Sequence, residues 1–101
     1  MTSRKLNATV KCGDGFTMSV QANDGAYCSP RIDNAIAYSS VEIGYPSEKE
    51  MLIMRYADSP NNPTDTVYGY VPAEIIVELI RKHGGMSDGA IPPLDLTPRN
   101  S

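Results

Sequence analysis

The stretch Leu6–Ala22, LNATVKCGDGFTMSVQA, decides the fold because it encodes a β-hairpin together with its register. Its turn is Cys12–Phe16, where Gly15 supplies the positive φ that a three-residue hairpin loop requires. One face of this hairpin then pairs apolar residues: Cys12 with Phe16, Val10 with Met18, Ala8 with Val20, and Leu6 with Ala22. The other face pairs polar residues: Lys11 with Thr17, Thr9 with Ser19, and Asn7 with Gln21. This alternation is typical of a sheet with one buried face and one face in water.

Further strands are predicted downstream of the hairpin. Ser40–Tyr45 alternates and would place Val41, Ile43 and Tyr45 on one face. Met51–Ala57 is the most apolar stretch, so it predicts an inner strand that pairs with Ser40–Tyr45 as a second hairpin. Thr66–Val71 predicts another strand, and Tyr27–Ala37 is predicted to be a long loop.

A single helix is predicted over Pro72–His83. Pro72 has the fixed φ suited to the first helical turn, and Gly84 is a natural stop. The helical period gathers four apolar residues on one broad face, namely Ile75, Ile76, Leu79 and Ile80. That face is expected to pack on the sheet.

These elements predict an α+β fold: an antiparallel sheet of four to five strands with one C-terminal helix packed on one face. Residues 1–85 are assigned to this single domain, and residues 86–101 to an extended, proline-containing tail. The tail would dock on the domain or on a neighbouring copy of the chain. Its predicted anchors are Ile91, Leu94 and Leu96.

Composition limits the classes of function. The chain has 101 residues, a net charge of −3 and scattered basic residues, which argues against generic coating of DNA or RNA. No apolar run has the length of a membrane span or of a secretory signal, so we expect a cytoplasmic protein. Two cysteines fit free thiols in a reducing compartment, and a disulfide between Cys12 and Cys28 stays open.

Four residues are candidates for a binding site: Tyr27, Arg31, Tyr68 and Tyr70. Tyr68 and Tyr70 are predicted to point outward together as a platform for a partner or a flat ligand, unless loop or tail residues cover them. Arg31, in the same loop as Tyr27, could hold a phosphate or carboxylate by its planar fork, the alternative being an ordinary surface arginine.

No catalytic or metal-binding set is visible. Cys28 would need a base to act as a nucleophile, and the only histidine, His83, is expected to close the end of the helix. Cys12, Cys28 and His83 lack the close spacing of a metal site, and no nucleotide-binding fingerprint occurs. The sequence therefore predicts a protein that is not an enzyme and that carries no metal or cofactor.

Several segments together resemble the small uncharacterised accessory proteins of gokushovirus-like bacteriophages, which are tailless phages with single-stranded DNA. The segments are Val10–Cys12, Asp14–Phe16, Met18–Ala22, Tyr27–Arg31, Val41–Ser47, Pro63–Pro72 and Lys82–Gly85. This resemblance implies a phage context but no known activity. In that context, the acidic charge, the strand content and the lack of a membrane segment leave a soluble accessory factor rather than a DNA-condensing, scaffold or lysis protein.

Three functions are carried forward. The first is a non-enzymatic binding protein that acts on a host protein in the host cytoplasm, for example one used in defence or regulation. The second is capture of a small ligand such as a nucleotide signal by Tyr27, Arg31, Tyr68 and Tyr70, within one chain or across a homo-oligomer. The third and least favoured is binding of single-stranded nucleic acid by tyrosine stacking, which needs a basic rim.

Overall fold

The computed structural model of the chain describes residues 6–97, and it confirms the α+β class. Its antiparallel sheet has five strands in the order β4-β3-β2-β1-β5. They are β1 (Val10–Cys12), β2 (Thr17–Gln21), β3 (Ser40–Gly44), β4 (Val67–Pro72) and β5 (Met86–Asp88). The helix α1 (Ala73–Lys82) follows β4 directly, and a short 3-10 helix spans Met54–Tyr56.

The first hairpin has the predicted register. Val10 pairs with Met18 and Lys11 with Thr17, and Gly15 has a φ of 96°. The backbone ladder starts at Val10, but the expected neighbours Asn7 and Gln21 still meet. The Gln21 amide accepts a hydrogen bond from the backbone N–H of Asn7 and donates one to its carbonyl, each at 2.9 Å. A side chain thus replaces the backbone ladder at the open end of the hairpin.

The core lies between one face of the sheet and α1. Its fully buried apolar residues include Val10, Met18, Val20, Val41, Ile43, Ile53, Val71, Ile76 and Leu79. The helix has the predicted apolar face, since Ile76 and Leu79 are fully buried while Ile75 and Ile80 are partly buried against the same cluster. The helix ends at Lys82 with His83 as its C-cap, and Gly84 adopts a φ of 91° immediately afterwards.

The predicted strand over Met51–Ala57, and with it the second hairpin, is wrong. Both edges of β3 are occupied by β2 and β4, so no edge is left for this segment. It forms a turn and the 3-10 helix, in which only Ile53 is fully buried and Met51 is 70% exposed. Tyr45 does not continue β3 either, because it is exposed and its φ of 50° turns the chain out of the strand.

The C-terminal segment packs on the same chain. Strand β5 lies beyond residue 85 and pairs with β1. Farther along, the backbone N–H of Tyr38 donates to the carbonyl of Pro93 and that of Asp95 donates to the carbonyl of Tyr38, each at 2.8 Å. Two expected anchors, Ile91 and Leu94, contact the core, whereas Leu96 is 54% exposed. Residues 98–101 of the proposed tail lie outside the described residues.

Candidate binding site

A bulge in β4 decides which tyrosines reach the surface. Val41 pairs with Val71 and Ile43 with Tyr68, so β4 has one residue more than β3 across this interval. Tyr70 takes up the extra residue with a φ of 54°. Tyr68 and Val71 therefore both face the core, and Tyr70 points outward.

Tyr68 is consequently not part of an exposed platform, contrary to the prediction from simple alternation. Its side chain is fully buried, and its hydroxyl donates to the carbonyl of Pro63 in the loop that precedes β4. The prediction missed this because one extra residue in a strand moves the following side chains to the other face. Tyr68 belongs to the core and secures a loop.

The other three candidate residues converge. The rings of Tyr27 and Tyr70 lie with their centroids 6.0 Å apart, and the guanidinium of Arg31 lies 5.1 Å from the centroid of Tyr27. The backbone N–H of Tyr70 donates to the carbonyl of Tyr27 at 2.9 Å. Gly69 allows this approach, because a Cβ there would lie 3.1 Å from the Cβ of Tyr27. Tyr27 and Tyr70 keep 44% and 48% of their surface exposed.

These rings border an open groove of about 280 Å³, which we name the tyrosine groove. Its lining consists of Tyr27, Tyr56, Ala57, Asp58, Val67, Gly69 and Tyr70. Tyr56 comes from the short 3-10 helix that replaces the predicted strand, and the guanidinium of Arg55 lies 5.8 Å from the centroid of its ring. The groove therefore combines rings from three separate segments of the chain.

The loop that carries Tyr27 and Arg31 is held in place by hydrogen bonds to side chains of the fold. The buried Tyr38 hydroxyl donates to the carbonyl of Ile32 at 2.7 Å and accepts the backbone N–H of Ala35 at 3.2 Å. The Glu42 carboxylate accepts the backbone N–H of Tyr27 at 3.2 Å. Because the fold itself holds this loop, a ligand would not have to order it, and preorganisation favours affinity.

A second cluster of functional groups lies at the end of α1 and was not visible in the sequence. His83 is buried with its Nδ1 2.6 Å from Asp14 Oδ2 and its Nε2 2.7 Å from Glu50 Oε2. Lys82 Nζ lies 2.8 Å from Glu50 Oε1, and Phe16 stacks on the imidazole at 4.0 Å. We name Asp14, Glu50, Lys82 and His83 the His83 cluster. Its acidic members lie 69 and 33 residues from His83, so no local spacing could reveal it.

The charges of the His83 cluster stabilise one another. Burial lowers the pKa of His83, but its hydrogen bonds to Glu50 and Asp14 outweigh burial and hold that pKa above its ordinary value. Burial raises the pKa of Glu50, but hydrogen bonds from Lys82 and His83 outweigh it and leave that pKa lowered. Below the raised pKa of His83, two ionised carboxylates thus flank an imidazolium that donates from both nitrogens.

The arrangement is that of a structural clamp rather than of a general base. Both ring nitrogens are occupied, so neither can accept a proton from a substrate. The clamp joins the first turn to the end of the helix, where the backbone N–H of Asp14 also donates to the carbonyl of His83 at 3.0 Å. The expectation that His83 closes the helix holds for its backbone, and its side chain adds the clamp.

The His83 cluster predicts that stability is greatest between about pH 4.5 and 6.5. His83 has a raised pKa, so its contribution to the free energy of unfolding is complete below the ordinary pKa of 6.5. That contribution is lost as the pH rises through the raised pKa. The contributions of Asp14 and Glu50, whose pKa values are lowered, are complete above the ordinary 3.8 and 4.5 and are lost on acidification. Urea unfolding at pH 5.5 and pH 8.0 should show lower stability at pH 8.0.

The variant His83→Gln is the control for this pH dependence, because it should flatten the alkaline decline. An unchanged decline in His83→Gln would contradict the assignment. The upper limit of pH 8.0 keeps the experiment below the pH range in which the two cysteine thiols ionise. Burial raises the pKa of Cys12 and of Cys28 above the ordinary 9.0, so both thiols destabilise the fold only in more alkaline solution.

The cysteines are free and buried, which answers the question of a disulfide. The Cys28 thiol donates to the carbonyl of Asn23 at 3.2 Å, and the raised pKa values keep both thiols protonated at neutral pH. Neither therefore has the thiolate character of a nucleophile. Within residues 6–97, no group of three or more His, Cys, Asp or Glu side chains is arranged to hold a metal ion.

Comparison with models of known protein families, with curated proteins and with solved structures finds no match for this chain. None of the helices in the described part of the chain has the length and apolar character needed to cross a bilayer. The fold and the tyrosine groove define the chain as an α+β domain with a preformed aromatic surface.

Proposed function

We propose that this protein is a non-enzymatic binding protein that contacts a host protein through the tyrosine groove and Arg31. The observation that carries the proposal is the convergence of Tyr27, Tyr70 and Arg31 beside Tyr56 on a preformed surface. Tyrosine and arginine are the residues most enriched at the energetic centres of protein interfaces. The phage context, and with it action in the host cytoplasm, comes from the sequence resemblance and is part of the proposal.

The backbone at Tyr70 supports a functional role. An exposed tyrosine with a φ of 54° is unusual, because left-handed backbone costs a residue with a side chain on the order of 1 kcal/mol. Asparagine or glycine would satisfy this position at lower cost. Tyr45 has the same backbone conformation outside the groove, so the strain supports a role for Tyr70 only together with its place in the groove.

The alternatives fit the geometry less well. Capture of a nucleotide needs an enclosing pocket, whereas the groove is open, is smaller than the roughly 300–1,000 Å³ of small-molecule sites, and lacks Tyr68. Single-stranded nucleic acid needs a basic rim. Here the described residues that line the groove include the carboxylate of Asp58 and no lysine or arginine, and the carboxylate of Glu42 contacts the backbone of Tyr27.

Replacing Tyr70 by asparagine should abolish partner capture without destabilising the fold. Truncating a tyrosine at the centre of an interface costs about 2 kcal/mol, which is roughly a thirtyfold loss of affinity. Asparagine tolerates the left-handed backbone, so the free energy of unfolding should stay equal or rise by up to about 1 kcal/mol. Quantitative pull-down of a stoichiometric partner from bacterial lysate, with urea unfolding of each variant, measures both effects.

Tyr45→Asn is the matched control. Tyr45 is also an exposed tyrosine, 59% accessible, with a φ of 50°, but it does not line the tyrosine groove. It should therefore show the same change in stability and should retain the partner. Recovery of no stoichiometric partner by the wild-type protein, or equal loss in both variants, would count against the proposal.

A further inference from the structure

We propose that the tyrosine groove receives a cationic side chain, lysine or arginine, from the partner, with Asp58 as its counter-charge. This inference rests on the proposed function, because it names the chemistry that the same groove recognises. It follows from the charges that line the groove, from the ring faces and from the size of the space.

Among the described residues that line the groove, Asp58 is the only charged one. Its backbone N–H donates to the carbonyl of Val67 at 2.9 Å, which fixes the residue beside β4. Its side chain is exposed, and no cation among residues 6–97 forms an ion pair with its carboxylate. A carboxylate in this position attracts a cation and repels a phosphate or an acidic side chain.

The tyrosine rings add a second attraction for a cation. The faces of aromatic rings carry negative potential and bind guanidinium and ammonium groups within about 6 Å. The chain already uses two of its rings in this way, since Arg31 lies over Tyr27 and Arg55 over Tyr56. Neither arginine lines the groove, and Tyr70 carries no guanidinium from the described residues. The groove thus offers Tyr70 and Asp58 to a cation supplied from outside.

Arg31, whose guanidinium lies over Tyr27, is not among the residues that line the groove. Glu42, whose carboxylate accepts the backbone N–H of Tyr27 at 3.2 Å, adds a negative charge beside the same tyrosine. Among the described residues that line the groove, the charge is that of Asp58. An open space of about 280 Å³ suits a single long side chain that remains attached to a partner better than an enclosed ligand.

The test compares two probes that differ only in charge, N-acetyl-arginine amide and N-acetyl-citrulline amide, by NMR titration of the ¹⁵N-labelled full chain. We expect arginine-dependent shifts at Tyr27, Asp58 and Tyr70, and an affinity for the citrulline probe that is roughly three- to thirtyfold lower. Asp58→Asn should weaken binding of the arginine probe but leave it tighter than that of citrulline, because the ring of Tyr70 still attracts the guanidinium. Asp65→Asn removes the same charge from the same loop but not from the groove, so it should bind as wild type.

Equal shifts with both probes, no arginine-dependent shift at the three residues, or equal effects of Asp58→Asn and Asp65→Asn would overturn the inference. These outcomes are separate from the pull-down. If the partner is lost in Tyr70→Asn but kept in Asp58→Asn, the inference of a cationic side chain in the groove is overturned. The proposed binding function would then still stand. Selective arginine binding in a protein that captures no partner would support the cation site and count against the proposed function.

Discussion

Glu50→Gln is expected to lower the free energy of unfolding by about 3 kcal/mol at pH 5.5, because it removes one partner of a buried set of charges. Glu50 is 2% exposed, and its two oxygens lie 2.8 Å from Lys82 Nζ and 2.7 Å from His83 Nε2. Glutamine keeps the shape but withdraws the negative charge that holds the imidazolium. Asp14, whose side chain is 49% exposed, would then be the only carboxylate on that ring.

The pH dependence of this loss distinguishes charge from packing. At pH 8.0 the imidazole is less protonated, so Glu50→Gln should destabilise the protein less than at pH 5.5. Glu48→Gln changes an exposed carboxylate two residues away and should stay within about 0.5 kcal/mol of wild type. Urea unfolding monitored by circular dichroism measures all three proteins. A loss below about 1 kcal/mol for Glu50→Gln at pH 5.5 would contradict the clamp.

Gly89→Ala is expected to cost roughly 2–5 kcal/mol and to detach the C-terminal segment from β1. A Cβ at Gly89 would lie 2.1 Å from the carbonyl oxygen of Thr9 and 2.7 Å from the Cα of Val10. Both contacts are with backbone, so no side chain can move to relieve them. The segment after β5 must shift, and with it the hydrogen bond from the backbone N–H of Ala90 to the carbonyl of Ala8.

Gly15→Ala is the matched control for the strain of a positive φ. Gly15 has a φ of 96° against 93° for Gly89, but a Cβ at Gly15 would meet nothing within 4 Å. It should therefore cost only about 1–2 kcal/mol, the penalty for a left-handed residue with a Cβ. Hydrogen exchange should show lost protection at β1 and β5 in Gly89→Ala alone. Equal losses of stability in both variants would show that the close approach of Gly89 to Thr9 adds nothing to the cost of a positive φ.

The success of the hairpin and helix predictions has a local cause. The register of Val10 with Met18 depends on a turn of three residues and on side chains that alternate within six residues on either side of the turn, Cys12–Phe16. The helix depends on its apolar period, on Pro72 and on Gly84, which are also local. The failure at Met51–Ala57 has the opposite cause, because an apolar run without a period specifies burial but not conformation.

The tyrosine groove was predicted in part. Tyr27 and Tyr70, with Arg31 beside Tyr27, were identified from their residue types, but nothing local shows that a bulge at Tyr70 sends Tyr68 inward. Tyr56 and Asp58 were missed. Tyr56 was placed in a strand paired with Ser40–Tyr45, and Asp58 was placed in an irregular loop. Their positions depend on the pairing of Ala57 with Tyr68. No pattern in the sequence of either segment indicates this pairing.

The sequence by itself determined the fold class, the first register and the helix, because alternation, turn chemistry and helix ends act between near neighbours. Only the tertiary structure decided the surface. It brought Tyr27, Tyr56 and Tyr70 around Asp58, and it closed the His83 cluster across 69 residues of chain. Such sites depend on where distant segments cross, and that crossing is set by the packing of the whole core rather than by any short stretch of residues.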